Sequence, residues 1–306
     1  MTTSRTTAVA SPGRSVEDRP AQPSRIRRAA PSLPARALQE PRIVVSGIAI
    51  LALVLIGLLA PLFSPYDPEF MDSSLSLGPP SASHWLGTDQ LGRDELSRLV
   101  YGARLSLQIS VYAVAFAFVM GVAIGVISSY FGSWIDVILM RIVDVLLTFP
   151  ALVLAITVAA YLGPSMTNIV LVIGIVYTPV FARLTYVVTR AIKPVEYVEA
   201  ARALGASHAR IIFRAILPNS LAPLIVQISL SLGFAILTES GLSFLEVGVP
   251  PPAPSWGSEI ATARLTLNQA PLLVVWPSVT IALAILSFNI LGDALRDLLD
   301  PRIRQR

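Results

Sequence analysis

Six apolar runs, each long enough to cross a bilayer, constrain this chain more than any other feature. They fall near residues 43–63, 106–130, 135–161, 168–188, 219–246 and 271–292. At about 1.5 Å per residue each covers a hydrocarbon layer of ~30 Å. The runs are continuous rather than alternating, and only helices satisfy the backbone of such a segment inside lipid. The expected fold is therefore all-α: a polytopic membrane protein with six transmembrane helices. Composition agrees, with 54% hydrophobic and 14% charged residues, against about 25% charged in a soluble domain. The run 219–246 exceeds what a bilayer needs and is expected to tilt, or to break near Gly233 or Glu239.

Residues 1–40 carry Pro, Ser, Thr, Ala and Arg with few large apolar groups, the composition of a disordered tail. Residues 41–306 form the membrane domain. Arg27-Arg28 resembles an export signal, but the run beginning at Ile43 is too long for one and lacks a small-x-small cleavage site. A retained first span is expected.

Basic residues set the orientation. Of 23, only Arg93, Arg98, Arg104 and Arg264 fall on one side, Arg141 lies inside a span, and the remaining 18 fall on the other. The positive-inside rule then places both termini, and the segment between spans four and five, on the cytoplasmic side of the membrane. The same asymmetry explains the pI near 9.7 without nucleic acid as a partner.

There are no cysteines, which excludes disulfide and thiolate chemistry. Lys193 is the only lysine and is followed by proline. A phosphate-binding loop needs Gly-Lys-Ser or Gly-Lys-Thr, so no catalytic residue or ATP site is expected here. His84 and His208 lie outside the spans, far apart in topology, and are expected to be solvated rather than to share a metal.

The stretch Glu196 to Asn219, EYVEAARALGASHARIIFRAILPN, is polar between two apolar spans. Pro194 suits a first helical position and Gly205 the left-handed position beyond a helix end. A helix of about eleven residues, roughly 16 Å, is expected between them. Ser207 would cap a second helix with Ile211, Ile212, Ala215 and Ile216 on one side and Arg210 and Arg214 on another. Pro218-Asn219 would then turn the chain into span five. On the first helix Tyr197, Ala201 and Leu204 share a face, with Glu199, Ala200 and Arg202 beside it. These residues alone fit either a hairpin resting on lipid headgroups or a protein-docking surface.

Glu199-Ala200-Ala201, three residues, Gly205, and Leu217-Pro218 after eleven more resemble the EAA loop of permease subunits in binding-protein-dependent ABC importers. Three other stretches resemble the C-type permease of oligopeptide, dipeptide and nickel importers. They are LGTDQLGRDELSRLVYGARLSL (Leu86–Leu107), LTESGLSFLEVGVPPPAPSWG (Leu237–Gly257) and NILGDALRDLLDPR (Asn289–Arg302). The resemblance covers about 43–306 and implies a type I ABC importer permease fold. It further implies coupling to cytoplasmic ATPase subunits or domains through Tyr197, Glu199, Ala200, Ala201, Arg202, Leu204 and Gly205. The implied partners are two such ATPases, which would hold ATP and magnesium, a second B-type permease, an extracytoplasmic binding protein and the bilayer. This chain itself would bind no cofactor and no metal. Two residues depart from the family pattern: Ala215, usually larger and often histidine, and Glu246, usually glycine. A carboxylate at Glu246 is expected at the outer interface, within reach of water.

Near the outer face, Thr88 or Asp89 reads as a helix cap, and Asp94 and Arg98 are spaced to pair, at about 0.3–0.5 kcal/mol. The resulting lateral helix would either frame the bundle or, with Asp89, Arg93, Asp94 and Trp256, help receive the binding protein. Pro250-Pro251-Pro252 would stiffen the last outer loop into an extended segment, and Trp256 would anchor at headgroup level. Arg141 and Asp144 share a face of span three. Together they cost about 6 kcal/mol at the membrane centre, against roughly 7 returned by that span's apolar residues. They are expected to pair with each other, to lie near the inner end, or to line the substrate path. Glu239, beside Ser240-Gly241, is the stronger pathway candidate, and Pro150 is expected to kink span three. Three functions fit such a chain: an importer permease, a proton- or ion-coupled secondary transporter using Arg141, Asp144 and Glu239, or a membrane anchor. Inverted repeats with paired broken helices would mark the second, and no internal match of that kind is visible. Peptide, nickel-chelate and glutathione importers share the permease pattern.

Overall fold

The computed structural model describes residues 37–299. Most of the expected tail, Arg27-Arg28, and the C-terminal Arg302, Arg304 and Arg306 lie outside the described residues. Among those described the chain is helical, without a β-strand, and holds five helices long and apolar enough to cross a membrane, or six with one bent pair.

The first span is α1 (Pro41–Leu58), continued by the single turn α2 (Ala60–Phe63). Only 11% of its apolar window is buried, so it lies at the edge of the bundle. A loop containing a short 3₁₀ turn (Ser73–Leu75) leads to α3 (Glu95–Phe131), whose 37 residues reach well beyond the expected span 106–130. The lateral outer helix is therefore no separate element; it is the first three turns of α3. Its cap is Asp94 rather than Thr88 or Asp89, because the Asp94 carboxylate accepts from the Ser97 N–H at 2.8 Å.

Span three is two helices, α4 (Ser133–Thr148) and α5 (Ala151–Leu162), bent by 97°. The expected kink at Pro150 is thus a full break. Proline lacks an N–H and drives the preceding residue out of the helical region, and Phe149 sits at φ −85°, ψ 137°. Span four is α6 (Met166–Ile192), capped by Ser165. Span five is α9 (Leu217–Phe244), which runs unbroken past Gly233 and Glu239, contrary to the expected break. Between them lie α7 (Glu196–Ala203) and α8 (His208–Ile211). After span five come α10 (Trp256–Ala263), a 3₁₀ turn (Arg264–Thr266) and the last span, α11 (Leu272–Leu299).

The central packing joins α3 to α6. Gly121 and Gly125 occupy one face of α3 at i, i+4, and each lies directly against α6. A Cβ on Gly121 would come within 2.5 Å of the Phe181 Cβ, and one on Gly125 within 2.4 Å of the Ala182 carbonyl oxygen. Without a hydrophobic driving force between helices in lipid, such close backbone approach is what dispersion and weak polar contacts need. The core above it gathers Ile109, Ala113, Val172, Ile173, Phe181, Leu224 and Leu242 from α3, α6 and α9. A second cluster joins α3, α9, α10 and α11 around Trp256. There Ser229 also donates from α9 to the Phe288 carbonyl of α11 at 2.8 Å.

Candidate functional site: a surface hairpin and the charges that frame the bundle

The hairpin between spans four and five begins at Val195, the N-cap of α7. Pro194 precedes the helix instead of opening it, and α7 has eight residues rather than about eleven. Gly205 sits at φ 78°, the left-handed conformation expected of it, and a side chain there would meet nothing within 4 Å. Its N–H bonds the Arg202 carbonyl and the Ala206 N–H the Ala201 carbonyl, both at 3.0 Å, so the end of α7 is closed by its own backbone. Ser207 caps α8 by accepting from the Arg210 N–H at 3.3 Å.

The second half of the hairpin is no separate helix. Residues 208–244 are continuously helical, with a π-helical turn at Ile212–Ile216. The Pro218 ring cannot accommodate an α-helical bond to residue 214, and the wider turn just before it absorbs the mismatch. Pro218-Asn219 therefore does not turn the chain; Asn219 folds back on the Ala215 carbonyl at 2.7 Å. Ala215 itself is half-buried beside the hairpin core.

That core is made by Val198, Ile211 and Ile216 against Val126 and Tyr130 of α3. Val198, not the Tyr197–Ala201–Leu204 face, anchors α7, although Ala201 packs beside it. Tyr197, Glu199, Ala200, Arg202, Leu204 and Gly205 are left exposed. Leu204, at the corner, is 88% exposed. His208 is exposed, as expected, and also holds the corner to α3 through its Nδ1 and the Tyr130 hydroxyl at 2.9 Å, with its ring edge-on to Tyr130.

At the opposite end, the residues expected to form a binding-protein face are interior. Asp89, Arg93, Asp94 and Trp256 are 3%, 5%, 3% and 0% exposed. Asp89 folds its own loop, accepting from the N–H groups of Leu91 and Arg93 and from Arg93 Nε at 2.6 Å. Asp94 does not pair with Arg98, because capping Ser97 and binding His84 Nδ1 at 2.9 Å occupy both its oxygens. His84 is consequently stacked on Tyr66 and largely enclosed rather than solvated. Arg98 instead makes a two-pronged pair with Glu259 of α10, at 2.9 and 2.7 Å, and donates to the Pro68 carbonyl at 2.9 Å. Trp256 is no interfacial anchor: its indole donates to the Leu99 carbonyl at 3.1 Å and its ring fills the second core cluster. Pro251-Pro252 forms a turn, so the proline run is not extended throughout. Glu246 is exposed as expected, at φ 63°, and pairs with Arg264 at 3.3 Å.

The intramembrane charges also differ from expectation. Asp144 pairs with Arg183 of α6 at 2.8 Å, not with Arg141, and the pair is about half exposed. Arg141 lies exposed on α4. Glu239 is fully buried, accepting from Ser106 of α3 at 2.9 Å and Ser243 at 2.8 Å. The helix does not loosen around it, and it ties α9 to α3 instead of facing a path. Arg183 and Glu259 were the partners sequence reasoning missed, and neither carries a local spacing signal.

An all-helical bundle crossed by five or six spans, with a glycine-cornered hairpin projecting from one end, defines a membrane permease fold. The fold is shared with an inward-facing methionine ABC transporter, MetNI, which superposes with a TM-score of 0.55 over 66% of this chain and 96% of that one, at 19% identity. Residues 103–305 match the model of the binding-protein-dependent transport system inner membrane component, and residues 36–80 that of the N-terminal TM domain of oligopeptide transport permease C. The chain belongs to this family of ABC importer permeases. It is 43% identical to the dipeptide transport system permease protein DppC of Alkalihalophilus pseudofirmus, over 87% of this chain and 88% of that protein. It is 41% identical to the glutathione transport system permease protein GsiD of Pectobacterium atrosepticum, over 88% and 90%. The family has no ATP-cleaving role of its own and is a multi-pass membrane component.

Proposed function

We propose that this chain forms half of the translocation pathway of a short-peptide importer and is driven by separate ATPase subunits seated on its 194–217 hairpin. The observation that carries the coupling role is the corner itself. An apolar Leu204, 88% exposed, beside a glycine with open space around it, is a surface waiting for a protein. Tyr197, Glu199, Ala200 and Arg202 flank it, and Ala201 supports it from within. Peptide as substrate rests on the dipeptide and glutathione permeases it is most usefully compared with, which cover nearly its full length.

The remaining parts follow from this reading. The hairpin and both termini face the cytoplasm, on the charge asymmetry above. A B-type permease supplies the second half of the pathway. ATP and magnesium reside in the ATPases. An extracytoplasmic binding protein docks on the outer loops, where Phe70, Met71 and Trp85 are exposed at 63%, 52% and 69%, rather than on the buried Asp89, Arg93, Asp94 and Trp256. A proton-driven transporter built on Arg141, Asp144 and Glu239 is disfavoured by the sealed position of Glu239.

Reconstituted uptake tests the reading. The assembled importer should take up peptide only with ATP and the ATPase subunits present. Gly205→Asp should abolish uptake while leaving membrane insertion and helix content unchanged. Wild-type uptake by that variant, or proton-driven uptake by this chain alone, would overturn the coupling role.

A further inference from the structure

A pocket of about 420 Å³ opens at the hairpin end of the bundle, between the end of α3, the start of α4, the end of α6 and the base of α7. Three cations line it: Arg190, Lys193 and Arg202. Among the described residues no carboxylate lies within 4 Å of any of them. Arg190 donates instead to the Tyr186 hydroxyl at 2.6 Å, and Lys193 reaches the Ser129 carbonyl at 3.4 Å. Two carboxylates share the wall. Asp136 is occupied, accepting from Ser128 at 3.1 Å and Tyr186 at 3.0 Å, and Glu199 faces solvent. The lining therefore carries one net positive charge.

A second observation points to a ligand. Ser129 is 7% exposed, lines the same pocket, and its hydroxyl has no hydrogen-bond partner. A buried hydroxyl without a partner is costly, and this one belongs to a residue of the pocket wall. The pocket also lies beside the first turn of α4, whose Gly132 cap provides no side chain for the free N–H groups there. Next to it α4 turns an apolar face outward, with Trp134 at 67%, Val137 at 65% and Ile138 at 51% exposed. An exposed tryptophan at a helix end followed by aliphatic residues is the arrangement found at a membrane interface.

From this geometry we infer an anionic-lipid site: a lipid phosphate held by Arg190, Lys193, Arg202 and the Ser129 hydroxyl, with its acyl chains against Trp134, Val137 and Ile138. A phosphodiester supplies the single negative charge that balances the pocket, and juxtamembrane cations are suited to it. The site is independent of the peptide assignment. Because Arg202 and Glu199 lie on α7, an occupied pocket braces the coupling helix from behind.

Native mass spectrometry of the full chain in a neutral detergent tests this, with phosphatidylglycerol, phosphatidylcholine and inorganic phosphate titrated separately. Phosphatidylglycerol should be retained and phosphatidylcholine should not. With about fivefold per cation near an anionic phosphate, Arg190→Gln with Arg202→Gln should weaken retention roughly thirtyfold. Ser129→Ala should weaken it less, and Arg210→Gln, outside the pocket, not at all. If the double variant fails to fold, Arg202→Gln alone decides, since that side chain has no ion-pair partner to lose among the described residues. Unchanged retention by the pocket variants, or equal retention of phosphatidylcholine, would overturn the site. Displacement of phosphatidylglycerol by inorganic phosphate would overturn the lipid as its source and assign the pocket to a soluble phosphate.

Discussion

The Arg98–Glu259 pair offers a quantitative test of how the end of the bundle opposite the hairpin is held together. Both side chains are buried, at 4% and 3% exposure, and the pair spans 161 residues of sequence to bind α10 to the start of α3. Removing one member of such a pair strands the other and costs about 3–5 kcal/mol, while replacing both with apolar groups is close to neutral. The two single losses should differ here. If Glu259 becomes leucine, Arg98 keeps the Pro68 carbonyl and Asp89 at 4.0 Å. If Arg98 becomes methionine, Glu259 is stranded together with Glu95, which is 2% exposed and has an unpartnered oxygen nearby. Arg98→Met should therefore cost the upper end of that range, about 5 kcal/mol, and Glu259→Leu nearer 3 kcal/mol. The double variant should cost less than Arg98→Met alone. Reversible unfolding in mixed micelles, followed by helix content, gives all three values on one scale. If the double variant loses the sum of the single costs, or if Glu259→Leu is the more damaging, the stranded-charge account is refuted.

Glycine positions give two further contrasts. Gly125→Ala forces a Cβ to within 2.4 Å of a backbone oxygen and should destabilise by about 1–3 kcal/mol. Gly47→Ala, in a helix with nothing within 4 Å, should stabilise by about 0.5–1 kcal/mol. The same unfolding assay refutes the packing argument if the two changes have the same sign. At Glu246, φ 63° suits the glycine usual in the family. Glu246→Gly should leave stability within about 1 kcal/mol, because backbone relief offsets the lost surface pair. Glu246→Val should be about 1–2 kcal/mol less stable than Glu246→Gly, because only glycine escapes the left-handed penalty, and equal stability of the two variants would refute that.

What could be read from the sequence divides along a physical line. Spans, the helical hairpin and the Gly205 corner are local: apolar runs, a cap at Ser207 and a left-handed glycine each announce themselves within a few residues. Pro150 did too, although a proline alone does not say whether a helix bends slightly or by 97°. Partners across the fold have no such signature. Asp94 and Arg98 have the spacing of a pair, yet each finds a stronger partner, His84 and Glu259 respectively, brought by segments the spacing rule does not see. Asp144 likewise takes Arg183 over Arg141. Trp256 fails for a related reason: tryptophan suits both a headgroup layer and a close-packed core, and only the face it turns inward distinguishes them. The Gly121-x-x-x-Gly125 spacing was the one long-range signal present in plain sight, and it marks the central α3–α6 contact.

The continuity of 208–244 changes how the hairpin must work. Had Pro218-Asn219 been a hinge, an ATPase could move α7 and α8 while the fifth span stayed still. Instead α8, the π-turn and α9 are one helical run, anchored through Ile211 and Ile216 to the end of α3. On the proposed coupling role, a displacement at the Gly205 corner would be passed along this run into α9. At its far end α9 is tied to α3 by Glu239 and Ser106 and to α10 by the packing of Gly257 on Ser240. On the proposed reading, a push from a cytoplasmic ATPase would reach the loops beyond α9 through this one run, whose interruptions are the glycine corner, the π-turn and Pro223 inside α9. This is why a charge at the corner is expected to fail the uptake test above, although a side chain there has ample room in this subunit alone.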